Sequence, residues 1–122
     1  MQTADSKGEE LNGLGLTLKQ IVDSTLRDEE VRKSVKNLNG TLVVREKDAG
    51  IAVTIFFHKG NVRIQNDAVD HSSAYVEGGF IELADISSGQ ISPIKAFLTG
   101  KIKAGGNLLK LLKMSKVIIS RQ

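Results

Sequence analysis

Few side chains in this sequence could do chemistry, and they are scattered. Asp67, Asp70 and His71 fall close together, and carboxylates beside an imidazole form a ligand set for a divalent metal. They sit in the polar stretch 66–73, where no helix or strand fixes their spacing, and a loop built of turn-forming residues accounts for them. His58 is the other histidine. It ends a strand beside a turn, with no serine or acid at a triad spacing, which argues against nucleophilic catalysis. Cysteine is absent, so thiolate chemistry, thiolate-bound zinc and disulfides are excluded. Gly105-Gly106-Asn107 precedes a helix, an arrangement able to receive a phosphate on backbone amides. The glycine, lysine and serine spacing of a nucleotide-binding loop is missing. A strand-to-helix turn is the simpler reading; the other is an acyl-CoA or phospholipid phosphate held there with Lys101 or Lys103. The residues specify no enzyme, no cofactor and no metal.

Charge carries more information. Residues 1–85 hold ten basic and fourteen acidic side chains, a net of −4, whereas residues 86–122 hold seven basic and no acidic ones. A segregated basic third points to an anionic partner, with lipid headgroups and nucleic acid as the candidates and a merely solvated surface as the alternative. Aromatic residues are only 4% of the chain and no helix-turn-helix pattern is visible. Base stacking therefore has little to work with, and nucleic acid is not expected.

The elements that position these residues follow from periodicity. Residues 1–13 form a polar lead-in with Gly8 and Gly13, without the apolar segment of a signal peptide. No apolar run approaches the ~20 residues of a membrane span, and a cytoplasmic protein is expected. The remainder, 14–122, is one domain by length. Thr17 and Gln20 have capping-box spacing and predict a helix start, with Leu18, Ile21, Val22 and Leu26 as its apolar stripe. Asp28 caps a second helix that ends at Asn39-Gly40. Strands are predicted at 41–46, 51–58 and 61–65, the last two joined by a tight turn at Lys59-Gly60. In 51–58 both faces are apolar near the middle, so that strand is covered twice or lies beside a cavity. A short strand at 74–77 leads to a helix at 80–88 stopped by Gly89. Ser92-Pro93 opens another short helix closed by Gly100. A last strand at 101–104 and a helix at 108–116 complete the chain.

The segment ISPIKAFLTGKIKAGGNLLKLLKMSK, residues 91–116, resembles the sterol carrier protein type 2 family. The shared features are Gly89, Pro93, Ala96-Phe97-Leu98-Thr99-Gly100, Lys101-Ile102-Lys103 and Gly106-Asn107-Leu108. The resemblance covers roughly residues 17–119, the upstream part by order of elements alone. It implies an α+β fold: a five-stranded mixed sheet with helices packed on one side and a hydrophobic tunnel between them. It also implies a sterol, fatty acyl chain, acyl-CoA or isoprenoid as ligand, or service as an accessory module that delivers a lipid to an enzyme. Two departures bear on this. The chain ends Ser120-Arg121-Gln122, without the terminal tripeptide of peroxisomal members. Thr99 stands where some members have a glutamine that meets the polar end of the ligand.

On this reading the tunnel lining is drawn from Phe56, Phe57, Phe80, Ile81, Leu83, Ile94, Phe97, Leu98, Thr99, Leu108, Leu111 and Leu112. The helix at 108–116 has leucines around more than half its circumference. It either closes the core or acts as a lid, and the two are compatible. Lys101, Lys103, Lys110, Lys113 and Lys116 are the expected contacts to a headgroup or an anionic membrane surface, each contributing roughly 1 kcal/mol.

Overall fold

The computed structural model describes residues 10–120. Among the described residues five helices and five strands alternate in blocks: α1 Gly13–Thr25, α2 Glu29–Val35, β1 Gly40–Glu46, β2 Ile51–His58, β3 Asn61–Asn66, β4 Ala74–Gly78, α3 Phe80–Ser87, α4 Pro93–Leu98, β5 Lys103–Gly106 and α5 Leu108–Ser115. A 3-10 turn, Lys116–Ile118, follows α5 directly. Of the predicted lead-in, residues 1–9 lie outside the described residues, and Leu11 is already buried in the core.

The helix start differs from the capping-box prediction. α1 begins at Gly13 because Asn12 is the true cap: its Oδ1 accepts from the Gly15 amide at 2.8 Å. The same side chain donates through Nδ2 to the Ala52 carbonyl, while the Asn12 amide donates to Asn66 Oδ1. The cap therefore fixes the helix to β2 and β3 as well as starting it, a tertiary role that spacing alone does not reveal. Asp28 and Ser92 cap α2 and α4 as expected, with Pro93 in the first turn of α4.

The sheet order is β3-β2-β1-β4-β5. The first three strands form an antiparallel meander, and β4 then pairs parallel to β1 with Leu42 opposite Ala74 and Glu46 opposite Gly78. β5 starts two residues later than the 101–104 alternation predicts. Gly100 is left-handed at φ 75°, and the Lys101 and Ile102 amides still bond back to the Ala96 carbonyl, so pairing begins at Lys103 opposite Glu77.

Alternation assigns one sheet face to Leu42, Val44, Val53, Ile55, Phe57, Val62, Ile64, Ala74 and Val76, all buried. With Leu18, Val22, Leu26, Val31, Val35, Met114 and Val117 from the helical segments they make the core. On the opposite face Val43, Ala52 and Thr54 are also buried. The crossover loop between β3 and β4 covers this face: Thr54 Oγ1 donates to the Asp67 carbonyl at 2.8 Å and accepts from the Val69 amide at 3.1 Å. That loop holds Asp67, Asp70 and His71, and no cluster of three metal-ligating side chains exists among the described residues.

Candidate ligand-binding site

A cavity of about 470 Å³ lies between the sheet and the helices. Its floor is Val44, Ile51 and Val76; its walls are Leu14 and Leu18 of α1, Leu83 and Ile86 of α3, with Ile102 and Ile118 closing the far side. The sheet supplies the floor because the inward positions of β1, β2 and β4 carry β-branched residues, whose short side chains fill a pleat without reaching across the gap. At the edge of the cavity a Cβ added to Gly78 would stand 2.9 Å from Ile102 Cγ2 and 3.4 Å from Leu83 Cδ2. A glycine there lets two wall residues close onto the end of β4.

The open side is defined by the lining residues that reach solvent: Gly13 and Thr17 of α1, Ala49 of the β1–β2 turn, and Phe80 and Ala84 of α3. Asp48 ties this mouth together, since its Oδ2 accepts from the Phe80 amide at 3.0 Å. The Phe80 ring itself is 67% exposed, a large apolar group held at the rim. Thr17, Ser87, Ser115 and Glu46 are the polar side chains of the lining. Glu46 is 4% exposed, and its two carboxylate oxygens accept from the Asp48 and Ala49 amides, each at 2.8 Å. The interior thus offers a ligand mostly hydrocarbon, with those four polar side chains among it.

The model of the SCP-2 sterol transfer family matches residues 18–118. The chain belongs to that family. No curated protein matches it by sequence. Solved structures share the SCP-2 fold at low identity. UbiJ-SCP2, described as a ubiquinone synthesis protein, aligns over 87% of this chain and 90% of its own, at 13% identity and TM-score 0.68. Apo sterol carrier protein 2 from Yarrowia lipolytica aligns over 90% and 95%, at 17% identity and TM-score 0.65. The inverting sec-alkylsulfatase Pisa1 from Pseudomonas sp. covers all of this chain with 19% of its own length, at 16% identity and TM-score 0.74. The same fold therefore occurs as a whole small protein and as one part of a large enzyme.

Within this SCP-2 fold the predicted lining residues separate. Phe80 and Leu83 line the cavity. Ile81, Ile94, Phe97, Leu98, Leu108 and Leu112 point outward, exposed between 43% and 75%, because α3, α4 and α5 are six to eight residues long and each buries only one or two side chains. Leu111 is half-buried against the core. Phe57 is core on the inner face, outside the cavity lining. Phe56 is on the outer face, with the Arg63 guanidinium 4.2 Å above its ring centroid. Thr99 caps α4, its Oγ1 donating to the Lys95 carbonyl at 2.8 Å, and is exposed.

Of α5 only Ser115 reaches the cavity. Lys101, Lys103, Lys113 and Lys116 are exposed and Lys110 is half-buried, none of them in the lining. In the Gly105-Gly106-Asn107 triplet the glycines end β5, opposite Tyr75 and Ala74, and Asn107 caps α5: its amide donates to the Ser73 carbonyl and its Oδ1 accepts from the Lys110 amide. The lining residues that were not anticipated include the inward Val44, Ile51 and Val76 of the strands, Leu14 and Leu18 of α1, and Ile86, Ile102 and Ile118 farther along the chain. Val44 and Val76 lie in strands the sequence predicts, but nothing in the sequence separates a side chain facing a void from one facing a neighbour.

Proposed function

We propose that the chain binds a hydrophobic lipid-like molecule in the cavity between sheet and helices, and transfers or presents it in the cytoplasm without covalent chemistry. The apolar part of a fatty acyl, acyl-CoA, isoprenoid or sterol-like ligand would lie against Leu14, Leu18, Val44, Val76, Leu83, Ile86 and Ile102, its polar end at the mouth near α1 and α3. The observation that carries this is an unfilled volume of about 470 Å³ lined almost wholly by hydrocarbon, inside the ~300–1,000 Å³ range of small-molecule sites. Burying about sixteen methylenes at ~0.8 kcal/mol each supplies ~13 kcal/mol gross. Loss of ligand and side-chain freedom removes much of that, leaving micromolar affinity or better. The exposed Phe80 and Ala84 make α3 the gate by which such a ligand exchanges, in preference to α5.

The test is native mass spectrometry of protein purified from its host, paired with titration by a fluorescent fatty acid. A bound acyl or isoprenoid species and saturable uptake are expected. Ala84→Trp, which places an indole in the mouth at an exposed position, should weaken uptake at least tenfold while leaving the far-UV spectrum unchanged. Protein that is empty as isolated and takes up no apolar probe would defeat the proposal.

The second reading is an accessory module that delivers a lipid to a separate enzyme. It is favoured by the likeness to one part of an alkylsulfatase and to a ubiquinone synthesis protein. Slow transfer of lipid between vesicles, together with retention of one lipid-modifying enzyme on the immobilised chain, would select it.

A further inference from the structure

α5 has two unlike sides. Leu111, Met114 and Ser115 face the protein, Met114 and Ser115 being buried. Leu108, Leu109 and Leu112 face outward, exposed by 56%, 73% and 44%, with Lys113 and, one turn on, Lys116 exposed beside them. The segment leading into this helix adds Lys101 and Lys103, both exposed, and no acidic residue occurs from Ile86 to the end of the chain. None of the outward leucines lines the cavity, so ligand binding does not explain them.

We infer that the outward face of α5 is a docking surface for an anionic lipid bilayer, with Leu108, Leu109 and Leu112 entering the acyl boundary and Lys113 and Lys116 reaching headgroup phosphates. The composition selects this occupant. Leucine on one side with lysine at its margins characterises helices that lie in the plane of a membrane interface, where the lysine stem stays in the apolar layer and the ammonium reaches the polar one. Protein interfaces show the reverse bias: lysine is depleted in them, and aromatic, methionine and arginine anchors are enriched. A second copy of the chain is disfavoured by charge, since a two-fold contact through α5 would oppose lysine with lysine. Docking through α5 is independent of what the cavity holds.

The experiment is co-sedimentation of the full chain with phosphatidylcholine vesicles, with and without phosphatidylglycerol. Binding to the anionic vesicles alone is expected, weakening as salt is raised. Lys113→Gln and Lys116→Gln should each lower the partition coefficient about fivefold. Leu109→Gln should lower it by a similar or larger factor while fluorescent fatty acid uptake in the absence of vesicles stays at the parent level, which separates loss of docking from loss of the cavity. Equal binding to neutral vesicles would overturn the inference. So would unaltered binding by Leu109→Gln, or a dimer in sedimentation equilibrium that Leu109→Gln dissolves.

Discussion

Among the described residues Glu46 is the one acidic side chain of the cavity lining, and its position is set by a turn. Its carboxylate accepts the two amides that open the β1–β2 connection, Asp48 and Ala49, so the charge at the edge of an apolar space is already occupied. Hydrogen bonds to a charged group contribute roughly 1.5–3 kcal/mol each when the partner would otherwise be stranded, but these amides lie in an exposed turn and water can replace part of the loss. Glu46→Ala should therefore lower stability by about 2 kcal/mol, read as a fall in the urea midpoint with an unchanged m-value. Glu46→Gln, which keeps one acceptor oxygen, should recover about half of it. At this scale the sequence was only partly legible. Phe56 and Phe57 are adjacent and equally apolar, yet strand alternation sends one to the core and the other beneath Arg63 on the far face. Size and hydrophobicity named candidates; direction decided among them.

At the scale of elements, capping shows what spacing can and cannot supply. Thr17 and Gln20 carry a capping-box pattern, but Thr17 lies inside α1 and Asn12 makes the cap. Asn12→Ala removes the bond to Gly15 and the one to Ala52 and should cost about 1–2 kcal/mol. Thr17→Ala, at an exposed helical position, should stay within about 0.5 kcal/mol. Equal losses in chemical denaturation would contradict this assignment of the cap. Strand β2 was legible to the residue, since its alternation and both flanking turns are local. Its two apolar faces left open whether a second layer or a cavity lay beyond, and the crossover loop on Thr54 answers for the outer face. β5 was misplaced by two residues because its start is governed by the left-handed Gly100 and by Ala96, whose carbonyl holds the next two amides. Gly106 is the stricter constraint: φ is 87°, and a Cβ there would strike the backbone of Ser73 and Ala74. Gly106→Ala should cost about 1–3 kcal/mol through the backbone conformation and more through that clash, measurable as a lowered Tm with β5 and α5 exchanging their amide hydrogens first.

For the molecule as a whole, the order of elements and the motif from Gly89 to Leu108 were enough to identify the architecture, because each local signal agreed with one topology. The void was expected only through the family resemblance, not from the residues that line it. A void is the difference between the volume the backbone encloses and the volume its side chains fill, and no single residue records it. Its thermodynamic consequence can be measured without knowing the natural ligand. A molecule that occupies the cavity binds the native chain and not the unfolded one, so at one hundred times its Kd it adds about 2.7 kcal/mol to stability. For a domain of 122 residues each kcal/mol raises Tm by roughly 3–5 °C, a total near 10 °C. A long-chain fatty acid or alcohol should produce that rise, and a short-chain homologue of the same headgroup should produce little, because the increment follows buried methylenes. Ala84→Trp should keep the Tm of the empty protein and lose most of the ligand-induced rise. If short and long chains shifted Tm alike, the gain would come from the headgroup at the mouth and the apolar interior would not be the binding determinant.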